Sequence, residues 1–184
     1  MCNFDEYKRL TEPDKKEKLE IWQTAIGLQD VDGLKPSDYL IETAKQNIDG
    51  KITISDVKER INSYYKAKGE RNDSENRTEE ADKVSAHIVW ILAEKTFKFS
   101  PAEFISIHRR LFTGIYKFAG VIRDYNISKD EWILNGDTIF YASADGIKET
   151  LDYDFAAEKK FDYKGLNIKQ KGTHNIFCVK RKLS

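Results

Sequence analysis

Apolar side chains recur at intervals of three and four residues through most of this chain, and the pattern predicts a mainly α-helical protein. In the first window, residues 14–27, the side chains of Leu19, Trp22 and Ile26 share one helix face, and Gly27 predicts the end of the helix. Five later windows show the same spacing, and we expect a helix in each: 37–47, 53–66, 78–95, 100–113 and 143–159.

Polar residues at the beginning of three of these windows are typical helix caps. Ser37 precedes the second window, and a serine there can accept a hydrogen bond from a first-turn amide. Thr53 with Asp56, and Ser100 with Glu103, have the spacing of a capping box, in which two residues cap each other's backbone amides. We therefore expect helices to begin directly after Ser37, Thr53 and Ser100.

A different pattern at residues 132–141 predicts one short β-hairpin. Two β-prone runs flank Asn135-Gly136, a pair that favours a tight hairpin turn. The candidate hairpin residues are Trp132, Ile133, Leu134, Asn135, Gly136, Asp137, Thr138, Ile139 and Phe140. The polar tip and large flanking side chains suit an edge that receives an extended peptide, and plain scaffolding is the alternative.

A break in the apolar pattern suggests the domain organisation. Residues 67–77 contain no large apolar side chain and are typical of a linker. The linker separates an N-terminal helical module, residues 1–66, from a second domain at 78–166, and we expect a basic irregular tail at 167–184.

Charge and composition exclude several classes of protein. Residues 1–163 carry 25 basic and 31 acidic side chains, a net charge of −6, which argues against nucleic acid as a partner. No apolar run approaches the roughly 18 residues of a membrane-spanning helix, so we expect no membrane association. The only cysteines, Cys2 and Cys178, form no disulfide framework, which favours the reducing cytoplasm.

The residues with catalytic or metal-ligating side chains do not by themselves indicate a reaction. His87, His108 and His174 have no metal-ligand spacing, and His108 is best read as a hydrogen-bonded core residue on an apolar helix face. Cys178 is interpreted as an apolar filler. The run Lys180-Arg181-Lys182 fits a solvated terminus or an anchor for an acidic partner.

The stretch after Ser100 carries a family resemblance. Residues 107–112, Ile-His-Arg-Arg-Leu-Phe, followed by Ile-Tyr-Lys-Phe-Ala-Gly-Val-Ile-Arg at 115–123, resemble the front half of the Fic domain, with its His-x-x-Leu-Phe and Tyr-x-x-Ala-Gly-x-x-Arg signatures. Residues 126–129, Asn-Ile-Ser-Lys, also match, and the resemblance covers about residues 78–166. It implies a Fic-like helical core whose hairpin at 132–141 is the flap that binds a target protein by strand pairing.

The resemblance implies an activity and its cofactors. Fic proteins transfer AMP from ATP, with Mg²⁺, onto a hydroxyl side chain of a target protein. Ser128 and Lys129 fall where the family reaches toward the nucleotide, so they are the candidate nucleotide-binding residues.

The family's catalytic motif, His-x-Phe-x-x-Gly-Asn-Gly-Arg, does not occur in this sequence, so we assign no catalytic residue. We expect a product of a truncated or frame-shifted gene with no transferase activity. The alternative is a regulatory remnant that docks targets by its flap or inhibits an intact Fic protein. Helix faces left without cover also lead us to expect a homo-oligomer.

A second resemblance concerns the N-terminal module. Residues 20–66 resemble the small three-helix antitoxin that inhibits Fic proteins through a [Ser/Thr]-x-x-x-Glu-[Gly/Asn] motif. Here Leu28 stands at the hydroxyl position, and Asp32-Gly33 stands at the position of the glutamate and the following residue. The resemblance implies that Asp32 is inhibitory, and a helix-capping turn is the alternative.

Overall fold

The computed structural model describes residues 11–69, 72–130, 138–140 and 143–167. These residues form six α-helices and two short strands, together with a 3₁₀ turn at Ala144–Gly146. The elements are α1 (Lys15–Val31), α2 (Asp38–Ile48), α3 (Ile54–Ala67), α4 (Asp73–Ala93), α5 (Pro101–Phe112), β1 (Ser128–Asp130), β2 (Thr138–Phe140) and α6 (Ile147–Lys160). The predicted mainly α class is confirmed for the part of the chain that the structure describes.

The described chain divides into two compact units. The N-terminal unit holds the residues through Phe97 together with Ile107–Ala119. The C-terminal unit holds Lys98–Ser106 together with the described residues from Gly120 onward.

The predicted helix caps are confirmed. The Ser37 hydroxyl accepts a hydrogen bond from the Leu40 amide at 3.1 Å. Thr53 and Asp56 form the reciprocal capping box at the start of α3. The Ser100 hydroxyl accepts from the Glu103 amide at 3.1 Å, directly before α5 begins at Pro101.

The predicted helix end at Gly27 is wrong, because α1 continues to Val31. An internal glycine weakens a helix by only about 1 kcal/mol, so it does not by itself end one. The helix ends instead at Gly33, whose φ of 66° places it in the left-handed region that glycine tolerates. The Leu34 amide then donates to the Gln29 carbonyl at 3.0 Å and closes the last turn.

The predicted helix start at Thr78 is also wrong, since α4 begins at Asp73. Asn72 and Glu75 form a capping box that begins the helix inside the segment interpreted as a linker. Residues 73–77 of the predicted linker are therefore helical. The capping box begins the helix there, although these residues show no apolar periodicity.

The core of the N-terminal unit lies where α1, α2 and α3 pack with α4. Its large members are buried side chains from all four helices: Trp22, Leu40, Val57, Ile61, Tyr65, Val84, Ile88 and Val89. On α1 the buried face differs from the predicted one, because Lys18 is buried and Leu19 is 44% exposed. The Lys18 ammonium is paired with the Glu12 carboxylate at 2.6 Å, which permits its burial.

The C-terminal unit is more open. Neither the first half of α5, which belongs to this unit, nor α6 has a buried residue, and the Phe99 and Phe155 rings lie 4.5 Å apart between their centroids. The backbones of β1 and β2 pair antiparallel, with Lys129 opposite Ile139. Residues 131–137, which include the predicted Asn-Gly turn, lie outside the described residues, so the complete hairpin stays a prediction.

Candidate functional site

Asp82 is the polar centre of the N-terminal unit. It lies on α4 with 0% of its surface exposed. Its carboxylate accepts hydrogen bonds from the Ser37 amide at 2.8 Å, the Ser37 hydroxyl at 2.5 Å and the Tyr65 hydroxyl at 2.7 Å. Burial raises the pKa of the Asp82 carboxyl, and the bonds from Ser37 and Tyr65 counteract part of that rise. One acidic side chain of α4 therefore holds two other helices.

The two partners of Asp82 lie at helix ends. Ser37 caps the start of α2, and its hydroxyl donates to Asp82 while accepting from Leu40. Tyr65 lies in the last turn of α3, and burial together with the Asp82 carboxylate raises the pKa of its hydroxyl. Both groups stay donors, so the network joins the start of α2 and the end of α3 to α4.

The candidate inhibitory residues Asp32 and Gly33 form the C-terminal cap of α1. The Gly33 amide donates to the Asp30 carbonyl at 3.1 Å, which is a helix-capping arrangement. The side chain of Asp32 is exposed, and its backbone carbonyl accepts from Arg77 Nη2 at 3.4 Å. The geometry thus accounts for the capping role, while an inhibitory role of the exposed carboxylate stays a prediction.

A cavity of about 290 Å³ lies beside Arg77 in the N-terminal unit. It is lined by one face of α4 and by the chain that follows α5: Asn76, Arg77, Glu79, Glu80, Lys83, Gly114, Ile115 and Tyr116. Lys83 pairs with Glu79 at 2.6 Å. Burial, with a hydrogen bond to Glu80, raises the pKa of Tyr116 to about 12, so its hydroxyl stays protonated. The hydrogen bond between Tyr116 and Glu80 therefore joins the chain that follows α5 to α4.

Residues 107–123 contain a cluster of aromatic side chains. The His108 ring lies 5.0 Å from the Phe112 ring and 6.4 Å from the Phe118 ring, measured between centroids. Tyr116 stacks on Phe118 at 4.9 Å. His108 is half-buried, so it contributes to this aromatic cluster at the edge of the core.

Sequence reasoning missed the buried histidine, which is His87. The His87 side chain is 4% exposed, and its Nδ1 donates to the Leu111 carbonyl at 2.7 Å. Its position between Val84 and Ile88 on the apolar face of α4 was the signal for burial. This bond fixes the end of α5 to α4 inside the N-terminal unit.

We expect the free energy of unfolding to fall as the pH is lowered below 6.5, the ordinary pKa of histidine. Burial lowers the pKa of His87, so in this range the unfolded chain binds more protons than the folded chain. Urea denaturation at a series of pH values measures the decline. In His87→Gln, which keeps a donor for Leu111 but does not titrate, the decline should be smaller. An equal decline in wild type and H87Q would contradict the assignment.

The remaining predicted site residues are only partly described. Ser128 and Lys129 lie in β1, and Thr138, Ile139 and Phe140 lie in β2, each described by its backbone. Trp132, Ile133, Leu134, Asn135, Gly136 and Asp137 lie outside the described residues, as do His174, Cys178 and the basic run at 180–182. Asp32 belongs to the N-terminal unit, and the strand residues belong to the C-terminal unit.

Two searches of the described residues bear on cofactors and membranes. Within these ranges, no group of three or more His, Cys, Asp or Glu residues is placed to hold a metal ion. None of the described helices combines the length and apolarity needed to cross a membrane.

Comparison with known proteins gives no match. No protein-family model fits the chain, and neither a curated protein nor a solved structure matches it.

Proposed function

We propose that this chain is a Fic-type protein in which an inhibitory three-helix module is packed onto the front half of an adenylyltransferase core. Its signature, from His108 to Arg123, lies on α5 and the segment that follows, where the resemblance requires a helix and its exit. We place the protein in the cytoplasm, where ATP is available and its two cysteines stay reduced.

The observation that carries this proposal is the attachment of the module to α4. Asp82 binds Ser37 of the α2 cap and Tyr65 of α3, and His87 on the same helix binds Leu111 of α5. The antitoxin-like helices and the end of the signature helix are thus joined through one helix inside a single unit. This arrangement supports an inhibitory module that is built into the same compact unit as the end of the signature helix.

The same proposal assigns no catalytic activity to the 184-residue polypeptide. By resemblance, transfer needs a histidine base on the target hydroxyl and a glycine-rich nest for the phosphates, and the motif that supplies both does not occur in the sequence. Losing such groups lowers a rate by several orders of magnitude. ATP and Mg²⁺ remain proposed ligands of the family, with Ser128 and Lys129 as candidate contacts, and no reaction step is derived through them.

Protein binding through the paired strands is the second candidate function. In a sheet of two strands, each strand has one outer edge whose amides and carbonyls can pair with another strand, and β1 and β2 form such a sheet in the described residues. Exposed aromatic side chains of the C-terminal unit, Phe99, Phe104 and Tyr153, also favour association with a target or with a second copy.

One experiment tests both parts of this proposal. The purified chain is incubated with ATP labelled at the α-phosphate, Mg²⁺ and a cell lysate, and then recovered on a resin. We expect no labelled protein above the level without the chain, because the base and the phosphate nest are missing. We also expect the resin to retain a target protein, because the strand edges remain available.

The variant Ile139→Pro is the matched control for the binding part. Proline removes a backbone N–H from β2 and disfavours strand pairing, so the retained protein should be lost. Strong labelling would refute the inactive assignment. Equal retention by wild type and I139P would refute docking through the strands.

A further inference from the structure

The connection between α1 and α2 is fastened to α4 at both of its ends. At the first end, Arg77 Nη2 donates to the Asp32 carbonyl at 3.4 Å. At the second end, the buried Asp82 carboxylate accepts from the amide and the hydroxyl of Ser37. Between them Leu34 is buried, with 7% of its surface exposed. A short segment fixed at both ends and anchored in its middle has few alternative conformations.

We propose that Arg77 and Asp82 are positioning residues that clamp residues 32–37, and thereby set the location of the exposed Asp32 carboxylate. Neither residue touches that carboxylate. Arg77 acts through the backbone of Asp32, and Asp82 acts through Ser37. The inhibitory meaning of the clamp rests on the function proposed above, whereas the clamp itself rests only on these contacts.

The two attachments differ in strength. The Arg77 contact is exposed and long, so it adds a weak restraint to the turn. The Asp82 side chain is fully buried, and its carboxylate accepts two bonds from the half-buried Ser37 and one from the Tyr65 hydroxyl. Asp82 therefore carries most of the restraint, and Arg77 adjusts the end of the segment nearest to Asp32.

Amide hydrogen exchange in the full chain tests the clamp, with the Leu34 amide as the reporter. That amide donates to the Gln29 carbonyl. The Gln29 side chain donates to the Ala25 carbonyl, so the hydrogen bonds of this reporter involve neither Arg77 nor Asp82. A purely local role of Asp82 would speed amide exchange at Ser37 alone, because among the described backbone amides that of Ser37 donates to Asp82. A clamp predicts that Asp82→Asn also speeds exchange at Leu34 by tenfold or more. We expect Arg77→Gln to speed it severalfold, and Arg77→Lys, which keeps a donor, to restore part of the protection.

A variant that weakens the core without touching the clamp provides the control. Ile61→Val removes one methyl group from a side chain of α3 that is 1% exposed. It should speed exchange at amides that open only by global unfolding, such as that of Val89 on α4, and should not raise the ratio of the Leu34 exchange rate to the Val89 exchange rate.

Each outcome decides the proposal. The clamp is supported if D82N and R77Q raise the ratio of the Leu34 exchange rate to the Val89 exchange rate. It is refuted if that ratio equals the one in I61V. If D82N does not fold, R77Q and R77K carry the same test, because their exposed side chain contributes little to the core. Labelling in the AMP-transfer experiment would refute the proposed inactivity and leave the clamp untouched, so the two failures are distinguishable.

Discussion

Replacing Trp22 with alanine is expected to lower the free energy of unfolding by about 4 kcal/mol. Trp22 is 1% exposed and lies in the core shared by α1, α2 and α4. Its Nε1–H donates to Asn47 Oδ1 at 3.0 Å, and Asn47 is itself fully buried. The substitution therefore leaves a cavity and removes the donor to a buried amide oxygen. Urea denaturation followed by far-ultraviolet circular dichroism measures the change.

Two further substitutions separate the parts of this effect. Trp22→Phe keeps most of the ring volume but removes the donor to Asn47, so it should cost less than Trp22→Ala. Leu19→Ala, on the same helix at a side chain that is 44% exposed, should cost under about 1 kcal/mol. A loss at Trp22→Ala as small as that at Leu19→Ala would show that Trp22 is not part of the core.

Replacing Asp82 with alanine is expected to lower the free energy of unfolding by about 3 kcal/mol, because donors on Ser37 and Tyr65 lose their buried acceptor. Part of the loss is offset, since a carboxylate no longer has to be kept out of water. The measurement is again urea denaturation of the full chain. A stability equal to wild type would show that the network contributes nothing net.

A double-mutant cycle tests whether Asp82 acts through Tyr65. Tyr65→Phe removes one of the three donors, so Asp82→Ala should cost less in the Tyr65→Phe background than in wild type. If the losses of unfolding free energy in the two single mutants add up to the loss in the double mutant, Asp82 does not act through Tyr65.

The pH dependence gives an independent signature of Asp82. Burial raises its pKa above the ordinary value of 3.8, so between the two values the folded chain binds more protons than the unfolded chain. The proton-linked part of the stability due to Asp82 is therefore present at low pH and is lost as the pH rises through this range. Asp82→Asn removes that component, which has the opposite sign to that of His87.

Much of the helical framework could be predicted from the sequence. The caps at Ser37, Thr53 and Ser100 lie where their spacing indicated, because capping depends on residues within one turn of each other. The errors at Gly27 and Thr78 have different origins. At Gly27, a glycine inside the helix was interpreted as its end. At Thr78, the start was assigned from the apolar pattern, whereas the capping box of Asn72 and Glu75 begins the helix earlier.

The candidate site was predicted less completely. Asp32-Gly33 was singled out with two interpretations, and the fold supplies the geometry of the capping turn. The residues that hold this turn, Arg77 and Asp82, carried no signal, since an acidic residue within an amphipathic helix is usually solvated. His87 was missed for a similar reason, because a single polar residue within an apolar stripe does not reveal its partner.

By itself, the sequence of this protein determined most of the helical framework and three of its helix caps, which depend on residues close together in the chain. Only the tertiary structure decided that Asp82 binds Ser37 and Tyr65, that His87 binds Leu111, and that Lys18 rather than Leu19 is buried. The partners of Asp82 and His87 are far from them in sequence, and Lys18 is buried with Glu12, which precedes its helix. Whether a polar side chain is buried depends on such a partner, which the apolar pattern does not identify.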